Sequence, residues 1–196
     1  MKDLTIEHCQ AIANLHVKSF DSFFLTSLGS QFLKVFYRAI INDSNGIAIG
    51  IFEEKQLVAF SVGTKKKKGF YSNILKSSVF PLLFAAFPQL ILDPRKIFRL
   101  IQSFTSHPTE DPHIADSASL LSICVDPSMG NKGYGKKILA AFEERVFLNA
   151  TTISLTTDAE NNDAVNRFYI ANGYVLFNEF LQSTRRMNLY YKNNEN

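Results

Sequence analysis

The chain has 196 residues, enough for a single domain whose core needs no metal or disulfide staple. A formal net charge of +3 is too small for a dedicated nucleic-acid-binding protein, and 46% hydrophobic with 20% charged residues is typical of a soluble globular domain. We therefore expect one domain over residues 1–196 and no nucleic-acid partner.

The cysteines and the N-terminus bear on the cellular compartment. Cys9 and Cys124 lie in apolar stretches far apart in the sequence, so we expect buried free thiols rather than a disulfide. The first residues lack the long apolar core and the small-residue cleavage site of a signal peptide. The expected location is the cytoplasm, and the oligomeric state, monomer or homodimer, stays open.

The N-terminal third predicts two helices followed by a hairpin. Apolar residues recur at helical spacing after Thr5 and again after Ser30, and each of these two residues is expected to cap its helix. The runs GIAIGIFEE and QLVAFSVGT are short and rich in branched residues. They predict an antiparallel hairpin that turns at Glu54 and Lys55.

Residues 65–116 have an irregular pattern, which predicts a helical insertion between the third and fourth strands. The segment begins with four lysines and continues with an apolar run, 79–92, that Pro81 and Pro88 are expected to interrupt. A membrane span needs ~20 apolar residues, so this run is too short, and we expect two or three helices with Asp93 capping the last. The lysines form either a solvated loop or a contact with a membrane surface or polyanion.

The C-terminal portion alternates strands and helices. In order, the pattern predicts a strand from Ser117 to Val125, a glycine-rich turn, a helix, a strand, a second helix that ends at Gly173, and two final strands. The glycine-rich turn lies within the stretch DPSMGNKGYGKKIL, which joins the first of these strands to its helix.

This turn opens directly into a helix, so it presents several backbone N–H groups at the positive end of the helix dipole, a favourable place for an anion. Gly133 and Gly135 lack a Cβ, which lets a phosphate approach the main chain, and Lys132, Lys136 and Lys137 add positive charge. A tight turn whose glycines only permit unusual dihedral angles is the structural alternative. P-loop and dinucleotide-binding motifs are excluded, because Lys137 stands where a P-loop requires Ser or Thr and the third glycine of the dinucleotide fingerprint is missing.

Two motifs in this portion resemble those of the GNAT superfamily, the acetyl-CoA-dependent N-acyltransferases. VDPSMGNKGYG matches the V-x-P strand end and both glycines of [Q/R]-x-x-G-x-[G/A], although Gly130 stands where Gln or Arg is usual. NDAVNRFYIANGY is similar to N-x-x-[A/V]-x-x-x-Y-x-x-x-G-[F/Y]. The resemblance implies an α/β (α+β) fold, with a GNAT-like mixed, mostly antiparallel central sheet flanked by helices.

The resemblance also implies a site for acetyl-CoA as co-substrate, without a metal. The pantetheine arm is expected between two diverging strands, and the diphosphate at the amides of the glycine turn. The expected cofactor-binding residues are Ile123, Cys124, Val125, Asn131, Lys132, Gly133, Tyr134, Gly135, Lys136 and Asn162. Asn162 is also expected to cap the second helix of this portion. Tyr169 is the expected catalytic residue, a general acid that protonates the departing thiolate, and its structural alternative is a core aromatic. We expect Cys124 to be packed and inert rather than an acyl carrier.

The general base and the acceptor stay open at the level of sequence. The candidate bases are water relayed through Ser122, or one of Glu53, Glu54, His107, His113, Asp116 and Asp158. The stretch SFDSFFLTSLG either walls the acceptor site with its phenylalanines and Asp21 or packs as a staple between the first two helices.

The function that the resemblance and the site residues favour is transfer of an acetyl group to a primary amine of a small molecule, such as an amino sugar or its nucleotide-linked form. Two alternatives remain. The chain is a non-catalytic acyl-CoA-binding regulatory module, or it is a membrane-peripheral acyltransferase that acts on a lipid-linked substrate through the insertion.

Overall fold

A computed structural model describes residues 1–21, 23–96 and 112–194. The strands are β1 (Lys2–Asp3), β2 (Gly46–Glu53), β3 (Gln56–Thr64), β4 (Ala118–Val125), β5 (Thr152–Asp158), β6 (Val175–Gln182) and β7 (Arg185–Asn193). The helices longer than one turn are α1 (Cys9–Ser19), α2 (Ser30–Asn42), α3 (Phe70–Leu92), α4 (Tyr134–Phe147) and α5 (Asp163–Ala171). Within the described ranges these strands form one seven-stranded sheet, in the order β1-β2-β3-β4-β5-β7-β6.

The sheet is mixed and mostly antiparallel, as the sequence predicts. Every neighbouring pair of its strands is antiparallel except β4 and β5, which run parallel and are joined through α4. A parallel pair needs such a crossover, because its strands cannot be connected by a hairpin. The crossover puts the glycine-rich turn at the carboxyl end of β4, in the middle of the sheet.

Two apolar cores lie on the two faces of the sheet. One core contains α1, α2 and α3, and the other contains α4 and the aromatic residues of α5. Side chains of a strand point alternately to the two faces, so neighbours in β3 are divided between the cores: Phe60 packs with the first and Ala59 with the second. Both residues are fully buried, which explains why β3 is apolar at nearly every position.

The hairpin of β2 and β3 is confirmed, and of the two helix caps predicted at the N-terminus only the one at Ser30 needs correction. Glu54 and Lys55 have φ values of 46° and 75°, as a two-residue turn between antiparallel strands requires. Thr5 is the N-cap of a short 3-10 turn, Ile6–His8, which continues directly into α1. Gly29, with φ of 93°, is the N-cap of α2, so Ser30 is the first helical residue instead of the cap.

The largest difference from the sequence prediction lies between β3 and β4. Pro81 and Pro88 do not interrupt the helix: α3 runs through both as one helix of 23 residues. A proline in a helix interior costs about 3 kcal/mol. Packing on the first core outweighs this cost, since Leu82, Ala86 and Leu90 are buried there. By length and composition, α3 as a whole is long and apolar enough to cross a membrane, because it begins at Phe70, well before the apolar run 79–92.

Further along the same segment, Asp93 accepts a hydrogen bond from the amide of Arg95 at 3.2 Å, the contact expected of a cap. A one-turn helix, Pro112–Ala115, directly precedes β4. The number of helices predicted for residues 65–116 depends on residues 97–111, which lie outside the described ranges.

The C-terminal portion follows the predicted order of strands and helices. Gly173 has φ of 85° and ends α5, because a left-handed residue is the usual C-terminal stop of a helix. Cys9 and Cys124 are both buried free thiols, as predicted.

Candidate functional site

The parallel strands β4 and β5 diverge along their length. Their register has three pairs, of which Leu120 with Leu155 is the last. Beyond it, Leu121 lies at a bulge and residues 122–125 of β4 remain paired with β3 on one side only. Among the described residues, the main-chain groups that face β5 there have no strand partner, so a wedge opens in the sheet between the carboxyl ends of two neighbouring strands. The predicted residues Ile123, Cys124 and Val125 line this wedge on its β4 side.

The glycine-rich turn lies at the open end of the wedge. Gly133 is the N-cap of α4, with φ of 75°, and a methyl group built on it would meet nothing within 4 Å. Glycine is therefore favoured there by its backbone conformation, and the space around it is open. Gly135 differs, since a methyl group on it would lie 3.6 Å from the Phe168 ring and 3.9 Å from Val125. It faces packed side chains, which does not match the expectation that its missing Cβ admits a phosphate.

The amides of this turn are free to bind an anion. Across the described residues, no intramolecular acceptor is found for the backbone N–H groups from Asn131 to Lys136, and the first backbone bond of the helix runs from Lys137 to Gly133. Lys132 and Lys136 are exposed beside them. Unpaired donors at a helix N-terminus attract negative charge, so this turn has the properties of an anion site.

Asp126 fixes the turn to the rest of the domain. It is 1% exposed, and its carboxylate accepts hydrogen bonds from Lys18 Nζ at 2.6 and 2.8 Å. It also accepts from the amide and the hydroxyl of Ser128 at 2.9 and 2.6 Å. The bond from Lys18, followed by that from Ser128, lowers the pKa of Asp126 to about 2. Because Lys18 belongs to α1, this ion pair ties the start of the turn to a helix that is distant in sequence.

Asn162 stands at the N-terminus of α5, at the end of β5. Its backbone carbonyl accepts from Val165 and Asn166, but its side chain does not cap the helix. Instead, its amide nitrogen donates to the Thr157 hydroxyl at 2.8 Å and to the carbonyl of Asp158 at 3.1 Å. Asn162 is therefore the N-cap residue of α5, as predicted, but its side-chain amide is directed back to the strand instead of to the helix amides. Its side-chain oxygen stays available as an acceptor.

Tyr169 lies in the second core, 6% exposed. Its ring packs against those of Phe168, Tyr174 and Tyr190, with centroids 5.4 to 6.1 Å apart. Burial raises the pKa of the phenol above its ordinary value of 10, so it is protonated at neutral pH. Among the described residues, no hydrogen-bond acceptor for its hydroxyl is found. Tyr169 is therefore packed as a core aromatic residue, as the structural alternative states. Its phenol is also in the protonated form, which is the form that a general acid needs.

Cys124 is packed into the first core with 7% exposure. Burial raises the pKa of its thiol to about 12, which keeps the sulfur protonated and weakly nucleophilic at neutral pH. These properties agree with a packed, inert residue. They leave the main chain of Cys124 as the part that is able to contact a ligand in the wedge.

A buried polar chain that the sequence did not reveal reaches β4 from α1. His16 Nδ1 is 2.6 Å from the Tyr37 hydroxyl, which donates to Ser122 Oγ at 3.2 Å. Tyr37 has a single hydroxyl proton, so His16 must donate from Nδ1, and its Nε2 is buried without a partner in the described part of the chain. Burial lowers the pKa of His16 to about 4. The imidazole is therefore neutral and a poor proton acceptor. The hydrogen bonds from His16 through Tyr37 orient the side chain of Ser122.

Two of the candidate bases, Asp158 and Asp116, form ion pairs in the structure. Asp158 is held by Arg185, which donates from Nε at 2.9 Å and from Nη2 to its other oxygen, so both of its oxygens are engaged. Asp116 pairs with Lys66 at 3.7 Å just before β4, at the end of the strand opposite the wedge opening. The position of His107 and the side chain of His113 lie outside the described part.

Phenylalanines between α1 and α2 approach the strand ends beside the wedge. Phe20 packs against Phe23 with ring centroids 5.0 Å apart, and Phe23 is 42% exposed. The guanidinium of Arg185 lies 5.6 Å from the centre of the Phe23 ring. Since Arg185 also holds Asp158 at the end of β5, the loop, β5 and β7 meet around one partly open, mixed polar and aromatic surface.

Three comparisons with known proteins bear on this arrangement. The sequence of residues 104–174 matches the model of the acetyltransferase (GNAT) family. A search of curated protein sequences gave no match. Among solved structures, the chain is similar to a PaiA N-acetyltransferase from Thermoplasma acidophilum in complex with coenzyme A, with TM-score 0.59, 13% identity, and coverage of 98% of this chain and 97% of that one.

Two further similar structures carry names that specify their acceptor. The ribosomal-protein-S18-alanine N-acetyltransferase from Escherichia coli aligns with TM-score 0.59 and 13% identity, covering 100% of this chain and 96% of that one. The ribosomal-protein-alanine N-acetyltransferase from Brucella melitensis aligns with TM-score 0.63 and 11% identity, covering 98% of each chain. At such identities the likeness shows the fold, and the family match adds the sequence evidence. Residues 104–174 therefore match the GNAT acetyltransferase family in sequence, and the chain as a whole has the fold of GNAT acetyltransferases.

Proposed function

We propose that the protein transfers an acetyl group from acetyl-CoA to a primary amine of a small molecule. The observation that carries this proposal is the wedge between β4 and β5, which opens next to a helix N-terminus whose six consecutive amides, 131–136, have no acceptor in the described residues. A thioester with an anionic diphosphate and a long amide-bearing arm suits both features. Its diphosphate takes the free amides, and its arm supplies the missing strand partner along residues 121–125.

Main-chain groups do most of the binding in this proposal. Gly130 stands where the family motif usually has Gln or Arg, so that side chain is missing here. Binding by main-chain amides does not depend on that side chain. The amides of the glycine turn and the exposed Lys132 and Lys136 hold the diphosphate. Free N–H groups on β4 are also suited to stabilise the oxyanion that develops when the thioester carbonyl is attacked.

Tyr169 is the proposed general acid. The neutral amine nitrogen attacks the thioester carbonyl carbon, the new C–N bond forms, and the C–S bond breaks. The phenol proton of Tyr169 passes to the departing sulfur, and Tyr169 regains a proton from solvent. The raised pKa of Tyr169 keeps the proton in place until the thiolate forms, and a thiolate leaving within the same desolvated region is likewise more basic than in water.

The amine loses its proton to solvent in this proposal. His16 is the histidine nearest to Ser122 along the polar chain, but its pKa of about 4 opposes protonation, and both oxygens of Asp158 already bind Arg185. The acceptor must therefore arrive as the neutral amine or deprotonate to water in the site. Its own pKa then governs the rate, rather than that of an enzyme group.

The acceptor class is tested by a thiol-release screen with acetyl-CoA. Amino sugars, nucleotide-linked amino sugars and simple primary amines form one panel. Peptides that begin with alanine form the other, because two structurally similar proteins are named for acting on ribosomal-protein alanine. We expect turnover in the first panel. Acetyl-CoA binding without turnover in either panel would support the non-catalytic module instead, and absence of binding would refute acyl transfer altogether.

A further inference from the structure

Helix α3 carries an apolar stripe on the side that faces away from the core. Phe80, Phe84, Phe87 and Ile91 follow one another at helical spacing, and they are 82%, 85%, 58% and 62% exposed. The three rings alone expose on the order of 450 Å² of apolar surface, given roughly 200 Å² for a whole aromatic side chain. The largest apolar patch on a typical monomer is about 300–600 Å² and is often functional.

The charges around α3 are unevenly distributed. Residues 65–96 contain seven basic residues and one acidic residue, a local net charge of +6, while the whole chain carries only +3. Four of the basic residues are the lysines that precede α3, and two, Arg95 and Lys96, follow it. Lys76 lies on the stripe itself, one turn before Phe80. Positive charge therefore surrounds the apolar stripe at both ends.

The opposite side of α3 is occupied. Phe70, Ile74 and Leu82 are buried in the first core, and Lys96 Nζ donates to the carbonyl of Ser27 at 2.9 Å. A helix held to the domain along one side presents only its other side to a partner. Contact with a lipid bilayer would therefore place α3 parallel to the membrane plane with its rings inserted.

The charge distribution favours an anionic lipid bilayer over a second copy of this chain as the partner of α3. A second copy of this chain packed on the same stripe by two-fold symmetry would bring two segments of net charge +6 together, which is repulsive. An anionic bilayer meets both features at once, because its headgroups attract the lysines and its acyl region accepts the rings. From these observations we propose that α3 and its flanking basic residues dock the protein on anionic lipid membranes.

Vesicle co-sedimentation of the full chain tests the proposal. The wild type should sediment with vesicles that contain phosphatidylserine and bind pure phosphatidylcholine vesicles much more weakly, with binding that falls as salt rises. The double variant Phe80→Ser/Phe84→Ser should reduce partitioning roughly tenfold or more for each ring removed. Lys65→Gln/Lys68→Gln should reduce it roughly 30-fold on anionic vesicles, from about 1 kcal/mol for each basic residue near the surface.

Control variants test whether vesicle binding depends on the apolar stripe of α3 rather than on exposed apolar residues in general. Leu148→Ser and Leu181→Ser remove residues that are 74% and 69% exposed but lie elsewhere, and both should sediment like the wild type. Circular dichroism and CoA titration should be unchanged in the stripe variants, because the replaced rings do not support the core. Wild-type protein that sediments with neither kind of vesicle would overturn the proposal. So would a concentration-dependent dimer abolished by Phe84→Ser, which would identify the partner as a second copy.

Discussion

The backbone of Gly133 gives the sharpest test of the proposed diphosphate site. Its φ of 75° is a conformation that costs about 1–2 kcal/mol for alanine, and a methyl group there would meet no atom within 4 Å. Gly133→Ala therefore adds backbone strain without a clash. If the turn relaxes in the free variant, CoA must restore its shape, and Kd should rise roughly 5- to 30-fold, the equivalent of about 1–2 kcal/mol. If the turn holds its shape, the strain should instead lower the free energy of unfolding by the same amount.

The same turn supplies the control. Gly130 has φ of −57°, which alanine adopts freely, and a methyl group on it would lie 3.7 Å from the nearest atom, the carbonyl oxygen of Pro127. Gly130→Ala should leave both CoA affinity and stability close to those of the wild type. Isothermal titration with CoA and urea denaturation measure the two quantities on each variant. Equal losses in both variants, or no loss in Gly133→Ala by either measurement, would refute the argument.

Three further predictions concern the catalytic and supporting residues. Tyr169→Phe should lower kcat about 10²- to 10⁴-fold with CoA affinity within about twofold, and an unchanged kcat in steady-state assays would remove its acid role. Asp126→Asn should lower the free energy of unfolding at pH 7 by about 1–2 kcal/mol, a range that allows for solvent screening at the half-exposed Lys18. Because the pKa of Asp126 falls from 3.8 to about 2 on folding, this stabilisation is present above about pH 4 and is lost as the pH drops toward 2, so the wild type and the variant should converge there in acid denaturation. Finally, kcat/KM should rise with pH along the titration of each acceptor amine, so acceptors of different basicity should give different profiles, and one shared profile with a midpoint near 6 or 7 would point to an enzyme base instead.

The sequence predicted those parts of the site that short-range rules govern. The order of elements from β4 onward follows from alternating apolar patterns, and the glycines at 133 and 173 occupy left-handed positions that favour this residue. A strand, helix and strand in succession favours the parallel pairing of β4 with β5, while the wedge between them was expected only from the resemblance to GNAT enzymes. These features depend on residues that are close together in the chain.

The features that were not predicted depend on contacts between distant residues. Lys18 and Asp126 are 108 positions apart, and His16 meets Tyr37 from another helix, so no local pattern marks either contact. Helix α3 shows the converse case, because local rules predict a break at Pro81 that packing on the core overrides. The side-chain direction of Asn162 likewise depends on the end of β5, which competes with its own helix for the amide group.

The central claim, that main-chain amides at the start of α4 hold the diphosphate of acetyl-CoA, is tested most directly by amide chemical shifts in a ¹⁵N-labelled sample. CoA and pantetheine, which lacks the diphosphate, would be titrated in parallel. We predict that CoA shifts the amides of residues 131–136 strongly and that pantetheine shifts mainly those of residues 121–125. Amides 131–136 that stay unchanged at saturating CoA would contradict the claim.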